Sequence, residues 1–191
     1  TGVREGEHIM NRLIRKAAVV AAMTLALLVV MVTPVSANNG AAQIGGTGGF
    51  HAIGFTEECP DPGGDYSAFA DFTLVLDSGN LQGCWYTLAE EYSFSPNAEA
   101  GPVVYQERGR EVFVGYLFDD DGNNLGHGTF ETTYHFTGKY EDASLAVEIH
   151  GRCQHPLVAG TGTGVFAGLT GRIDFKDNVD TGVLTYRGHL K

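Results

Sequence analysis

The side chains best suited to acid–base chemistry lie in two stretches where polar and apolar residues alternate. If both stretches are strands, each has one polar face: Glu131, Thr133 and His135 in residues 128–140, and Glu148, His150 and Arg152 in residues 144–153. If the strands pair, the polar residues form a cluster that can transfer protons or orient a ligand. The opposite faces, with Phe130, Tyr134 and Phe136 and with Leu145, Val147 and Ile149, are more apolar. We therefore predict that the apolar faces point inward and that the polar cluster faces solvent.

Three cysteines, Cys59, Cys84 and Cys153, are the other reactive side chains that follow residue 37. In an oxidising compartment, three cysteines favour one disulfide and one leftover thiol. Cys84 and Cys153 both lie at predicted strand ends, so their pairing is favoured, and Cys59–Cys84 is the next alternative. Since His155 follows Cys153 by two residues, a thiol nucleophile with a histidine base is a further interpretation.

Sequence motifs for metals, nucleotides and serine hydrolysis are lacking. His-x-x-x-His, Cys-x-x-Cys and Gly-x-Ser-x-Gly spacings do not occur. The acidic run 119–124 lacks the glycine and glutamate positions of a calcium loop and is interpreted as a hairpin turn. A loosened dinucleotide fingerprint begins at Gly162, but Gly168 and Gly171 would break the helix that must follow. We therefore predict no metal and no cofactor.

The elements that must position these side chains are strands. Alternating or aromatic-rich segments are separated by glycine-rich turns, and no stretch of 11 or more residues after residue 37 shows apolar residues at helical spacing. This pattern is typical of an antiparallel sandwich or barrel. Residues 38–68, rich in glycine and proline, are predicted to be an entry arm without regular structure, and 69–191 to be the barrel domain. The predicted strands are 72–76, 84–94, 111–118, 128–140, 144–153, 172–176 and 183–190.

One glycine-rich segment carries a resemblance to a known family. Residues 162–171, Gly-Thr-Gly-Val-Phe-Ala-Gly-Leu-Thr-Gly, precede a predicted strand and resemble a segment near the end of allene oxide cyclase and dirigent-type proteins. Those families are antiparallel eight-stranded barrels with an apolar cavity. The cyclases isomerise a fatty-acid epoxide, and dirigent proteins steer phenoxy-radical coupling. The resemblance implies an all-β, closed eight-stranded barrel that can form homo-oligomers, and it transfers no catalytic residue. The structural positions of the motif are Gly162, Gly164, Phe166, Gly168 and Gly171.

Aromatic side chains are numerous enough to line a cavity, although most are expected to pack in the core. An eight-stranded barrel either fills its interior or holds one small ligand. Three functions therefore stay open: binding of a small apolar or aromatic ligand, an isomerase or cyclase of the same superfamily, and a filled structural module. Trp85 and Tyr86 point to opposite faces, so at most one lines the interior. The candidate ligand contacts are Trp85, Tyr86, Tyr116, Phe130, Tyr134 and Phe136.

The first 37 residues are predicted to be upstream residues and a secretory signal peptide. An apolar run of 16 residues, 17–32, follows a basic stretch and precedes Val35-Ser36-Ala37. An uncleaved membrane anchor is the alternative, but a span needs about 20 apolar residues. Cleavage after Ala37 would leave 154 residues with a net charge of −13. We therefore expect a secreted, extracellular protein that binds no nucleic acid and has no stable membrane insertion after cleavage.

Overall fold

Eight antiparallel strands close into a barrel in which each strand pairs with its neighbours in chain order and β1 pairs with β8. The computed structural model describes residues 41–95 and 102–191, so the predicted signal peptide lies outside the described residues. The predicted all-β, closed antiparallel barrel is confirmed. The strands are β1 Ala42–Ala52, β2 Phe72–Gly79, β3 Leu81–Phe94, β4 Val103–Phe118, β5 Asn124–Tyr140, β6 Glu148–Pro156, β7 Gly171–Asn178 and β8 Val183–Leu190.

The longest pairing joins β4 to β5, from Val103 opposite Tyr140 to Phe118 opposite Asn124. The acidic run between these strands is a hairpin turn, as predicted. The Asp119 carboxylate accepts hydrogen bonds from the backbone of two following residues of the turn. These bonds take up backbone donors that the strand pairing leaves free.

Part of the segment predicted as an entry arm is instead a barrel strand. β1 lies within residues 38–68 and pairs with both β2 and β8, so it closes the barrel. The usual alternation of polar and apolar residues is absent from β1, because glycines occupy inward positions where side chains of neighbouring strands fill the interior. At Gly46, a Cβ atom would lie 2.4 Å from the hydroxyl of Tyr186. The predicted boundary at residue 69 is therefore wrong.

The end of the barrel reached by the β6–β7 loop is closed by an aromatic plug. A 3₁₀ turn, Gly164–Phe166, lies within the glycine-rich segment and places Phe166 inside the barrel, where it is fully buried. The ring of Phe166 packs on Phe113 and Phe130 at centroid distances of 5.7 and 5.0 Å. Gly164 has a positive φ of 55°, and a Cβ there would lie 2.1 Å from the carbonyl oxygen of His127. The turn therefore needs glycine at this position.

A second, smaller core lies outside the barrel wall. The chain between β1 and β2 packs on the outer faces of β3 and β4, with Cys59, Phe69, Tyr86 and Val112 buried together. A disulfide joins Cys59 to Cys84 across 25 positions of the chain. The favoured pairing of Cys84 with Cys153 is therefore wrong, and the alternative Cys59–Cys84 is present.

The direction of the two side chains explains this pairing. Cys84 lies in the outer core, whereas Cys153 packs against the core inside the barrel. Because the sheet separates the two thiols, they cannot meet.

Within residues 41–95 and 102–191, no helix is long and apolar enough to cross a membrane.

Candidate functional site

The half of the barrel opposite the Phe166 plug encloses a cavity of about 400 Å³. The strands place it at their other ends, where β2, β4, β6 and β8 begin and β1, β3, β5 and β7 finish. A volume of this size can hold one small organic molecule. Seven of its lining residues are aromatic: Phe50, Phe72, Tyr105, Tyr134, Phe136, Tyr140 and Phe175.

A glutamate–histidine pair lies among the buried lining residues of this cavity. Nδ1 of His155 and Oε2 of Glu111 are joined by a hydrogen bond, and both side chains are almost fully buried. Thr87 donates its hydroxyl to Oε1 of Glu111 at 3.1 Å, and Thr132 donates its own to Oε2 at 3.0 Å. Because these donors favour the carboxylate form, we assign the Nδ1 proton to His155 as the donor to Glu111.

The other ring nitrogen of His155 is left without a partner. The imidazole is 1% exposed and lies between aromatic rings, 4.5 Å from Phe175 and 5.3 Å from Trp85 by centroids. Its Nε2 has no hydrogen-bond partner within the described part of the chain. Buried polar atoms are nearly always paired, so this cavity-lining residue keeps an unused hydrogen-bonding position.

A second carboxylate, the half-buried Glu107, lies nearer the mouth on the same face of β4. The hydroxyl of Tyr134 donates to Oε1 of Glu107 at 2.6 Å, and the hydroxyl of Tyr105 donates to Oε2. Burial, followed by the hydrogen bond to Glu107, raises the pKa of both tyrosines well above the ordinary value. Both phenols therefore stay protonated and act as neutral donors.

At the mouth, Glu148 and Asp177 approach each other closely. A Cβ on Gly151 would lie 2.1 Å from Oε1 of Glu148 and 2.7 Å from Oδ2 of Asp177, so glycine at this position leaves room for both carboxylates. Burial and the nearby Asp177 raise the pKa of Glu148 to about 7. Burial also raises the pKa of Asp177. The pair therefore shares one proton near neutral pH and carries one negative charge.

Cys153, which is in no disulfide, lines the same cavity two residues before His155. Burial, followed by the charge of Glu111, raises the pKa of its thiol well above the ordinary value. A thiol nucleophile needs a depressed pKa, so this environment disfavours the nucleophile interpretation.

The predicted acid–base cluster divides between the two sides of the wall. Glu131 lies outside the barrel, where its carboxylate accepts a hydrogen bond of 3.0 Å from Tyr66 of the outer segment. His150 and Arg152 are exposed, and His135 has the same strand parity as Glu131, which also places it outside. Glu148 alone of the five candidates turns into the mouth.

A bulge in β6 accounts for this division. Lys139 pairs with His150 and Tyr140 pairs with Glu148, so Ile149 has no direct partner and the alternation shifts there. The predicted inward direction of Val147 and Ile149 is therefore wrong, since these residues are 51% and 42% exposed.

The six aromatic candidates fall in three places. Tyr134 and Phe136 line the cavity. Trp85 and Phe130 point inward but belong to the packed half, with their centroids 5.6 Å apart. Tyr86 lies in the outer core and Tyr116 is 45% exposed, so neither can contact a ligand in the cavity.

Three carboxylates of the cavity, Glu107, Glu111 and Asp177, were missed from the sequence, and His155 was considered only as a base for Cys153. A usable signal exists on β4, where Glu107, Glu111 and Phe113 have the same strand parity. A carboxylate on an otherwise apolar face predicts a buried, partnered charge. Asp177 shows no such signal, because it lies near the end of β7, beyond the predicted strand 172–176.

No group of three or more His, Cys, Asp or Glu side chains within residues 41–95 and 102–191 is arranged to hold a metal ion. The chain matches no protein-family model, no curated protein and no solved structure.

Proposed function

We propose that this chain is a secreted barrel that binds one small apolar or aromatic molecule in its mouth cavity. The observation that carries the proposal is the half-filled interior, about 400 Å³ of space with seven aromatic residues among those that line it. A filled structural module needs no such space. The Cys59–Cys84 disulfide and the predicted signal peptide support export.

A neutral fluorescent probe, N-phenyl-1-naphthylamine, tests the proposal. We expect saturable emission enhancement with one site per chain, because the probe leaves water for an apolar cavity. Leu184 lines the cavity, so Leu184→Trp should fill part of it and weaken binding at least tenfold.

Leu125→Trp is the matched control, since Leu125 is 40% exposed and lies at the start of β5, the end of that strand far from the mouth. This control should bind like the wild type. Non-saturable enhancement, or equal weakening in both variants, would contradict a cavity site.

A proton-transfer enzyme is the second candidate, favoured by the Glu111–His155 pair. A carboxylate that holds Nδ1–H leaves Nε2 as a base, as in many acid–base sites. An isomerase or cyclase is also the activity that the resemblance to allene oxide cyclase implies. The aromatic surroundings exclude water from the site, and Glu111 would stabilise the imidazolium that proton abstraction forms.

5-Nitrobenzisoxazole tests this second candidate without a known substrate. A base removes the proton from C3, the C–H electron pair completes a nitrile, and the N–O bond breaks to leave a phenolate. We expect saturable turnover that falls at least tenfold in Glu111→Gln and in His155→Gln.

His150→Ala is the control, because this histidine is exposed on the outer face. It should leave turnover unchanged. Turnover that persists in the His155 variant would remove this pair from the reaction.

A further inference from the structure

Carboxylates are the main charged groups of the mouth cavity. Glu107, Glu111 and Asp177 line it, and no lysine or arginine is among its lining residues in the described ranges. Asp177 also lines an adjoining recess at the mouth together with Glu148. An entering ligand therefore meets four carboxyl groups and one imidazole.

The partners of these carboxylates do not cancel their charge. Glu107 accepts from two tyrosine hydroxyls, and both are neutral donors. Glu111 accepts from two threonine hydroxyls and from His155, the one partner able to carry a positive charge. Hydroxyl donors stabilise a carboxylate without neutralising it, so negative potential persists in the cavity.

The aromatic rings of the wall favour the same sign of ligand charge. The faces of phenyl and phenol rings carry partial negative charge and attract ammonium groups within about 6 Å. Phe136 and Tyr140 both line the cavity and follow β5 to the mouth. Anionic side chains beside aromatic faces form a site typical of organic cation recognition.

His155 lines the same cavity and has a ring nitrogen, Nε2, without a hydrogen-bond partner in the described residues. The side chain is 1% exposed, and its Nδ1 is held by Glu111. With Nδ1 protonated, Nε2 can accept a hydrogen bond from an N–H or O–H group. Because Nε2 is an uncharged acceptor, it can bind a neutral N–H or O–H group of a ligand.

We propose that the cavity prefers an organic cation, an ammonium group carried on an aromatic or branched apolar body, with the charged group held at the mouth by Glu148 and Asp177. This rests on the proposed function, because it names the ligand class of the same cavity. The net charge of −13 expected for residues 38–191 attracts such ligands at long range as well.

Three probes of nearly equal shape test the charge preference by calorimetric titration at pH 8. Phenyltrimethylammonium, tert-butylbenzene and benzenesulfonate carry a positive, a neutral and a negative tetrahedral group on one phenyl ring. We expect the cation to bind at least tenfold more tightly than the neutral probe, and the anion not to bind. Equal or tighter binding of tert-butylbenzene would overturn the charge preference while the binding function stands. Absence of binding by all three would overturn both.

Glu148→Gln tests the position of the charged group. We expect it to weaken phenyltrimethylammonium binding about tenfold and to leave tert-butylbenzene binding unchanged. Glu57→Gln is the matched control, since Glu57 is exposed in the segment outside the barrel, and it should change neither affinity. Equal losses for both probes in Glu148→Gln, or no loss for the cation, would overturn this assignment.

Discussion

The two halves of the barrel interior are built from the same strands and differ in how tightly they are packed. Towards the Phe166 plug, aromatic rings pack against one another, with Trp85 at 5.7 Å from Phe113 by centroids. Towards the mouth, aromatic rings line an open cavity and carboxylates replace apolar neighbours. The packed half therefore stabilises the fold, whereas the other half leaves space for the ligand that we propose.

We expect the largest change in stability from substitutions of two phenylalanines on the same face of β5. Phe130 is 1% exposed in the packed half, whereas Phe136 is half-buried at the cavity. We expect Phe130→Ala to lower the free energy of unfolding by about 4 kcal/mol, because it leaves a cavity among packed rings. Phe136→Ala should cost about 1 kcal/mol, since its ring already borders empty space.

Urea denaturation of both variants measures this difference. Comparable losses from the two substitutions would contradict the division of the interior into a packed half and an open half.

The inner and outer cysteines should also differ in how much they stabilise the fold. Removing the Cys59–Cys84 bridge, by Cys59→Ser with Cys84→Ser, should lower the free energy of unfolding by about 3 kcal/mol, because it releases a closed loop of 25 residues in the unfolded chain. Cys153→Ala keeps the bridge and should cost about 1 kcal/mol. Thermal unfolding at matched pH measures both.

Peptide mapping without reduction locates the bridge independently. A peptide that links Cys84 to Cys153 would contradict the separation of these thiols by the barrel wall.

The smallest expected change is in the pH dependence of the free energy of unfolding, to which Glu148 at the mouth contributes. The pKa of Glu148 rises from 4.5 to about 7 on folding, so the folded chain holds a proton that the unfolded chain releases. This contribution to stability is full below about pH 4.5 and is lost as the pH rises to about 7. Because water reaches the mouth, we expect a loss of about 1 kcal/mol.

Glu148→Gln should remove this component from the slope of unfolding free energy between pH 5 and pH 8. Glu57→Gln should keep it, since Glu57 is exposed outside the barrel. An unchanged slope in the Glu148 variant would separate the mouth pair from the pH dependence.

The fold was predictable from the sequence to the extent that side chains alternate. Seven strands show alternating or aromatic-rich patterns. β1 does not, because its inward positions include Gly46 and Gly48, where neighbouring residues leave no room for a Cβ. That information belongs to the partner strands and is not present in the local sequence.

The site was less predictable because it depends on which face is inside. Assigning the more apolar face to the interior correctly placed Phe130 and Tyr134, but this rule predicts no carboxylate on an inward face. Glu111 is such a case, stabilised inside by Thr87, Thr132 and His155 from three other strands. A single bulge at Ile149 then moved Glu148 from the predicted outer face into the mouth.

The most direct test of the account is a two-dimensional ¹H–¹⁵N NMR titration with N-phenyl-1-naphthylamine. We predict saturation at one molecule per chain, with the largest shifts at the cavity residues Phe136, His155 and Phe175. Phe113 and Phe166, packed at the closed end, should shift little. Shifts that do not saturate, or that are as large at the closed end or on the outer face as in the cavity, would contradict a binding site in the mouth half of the barrel.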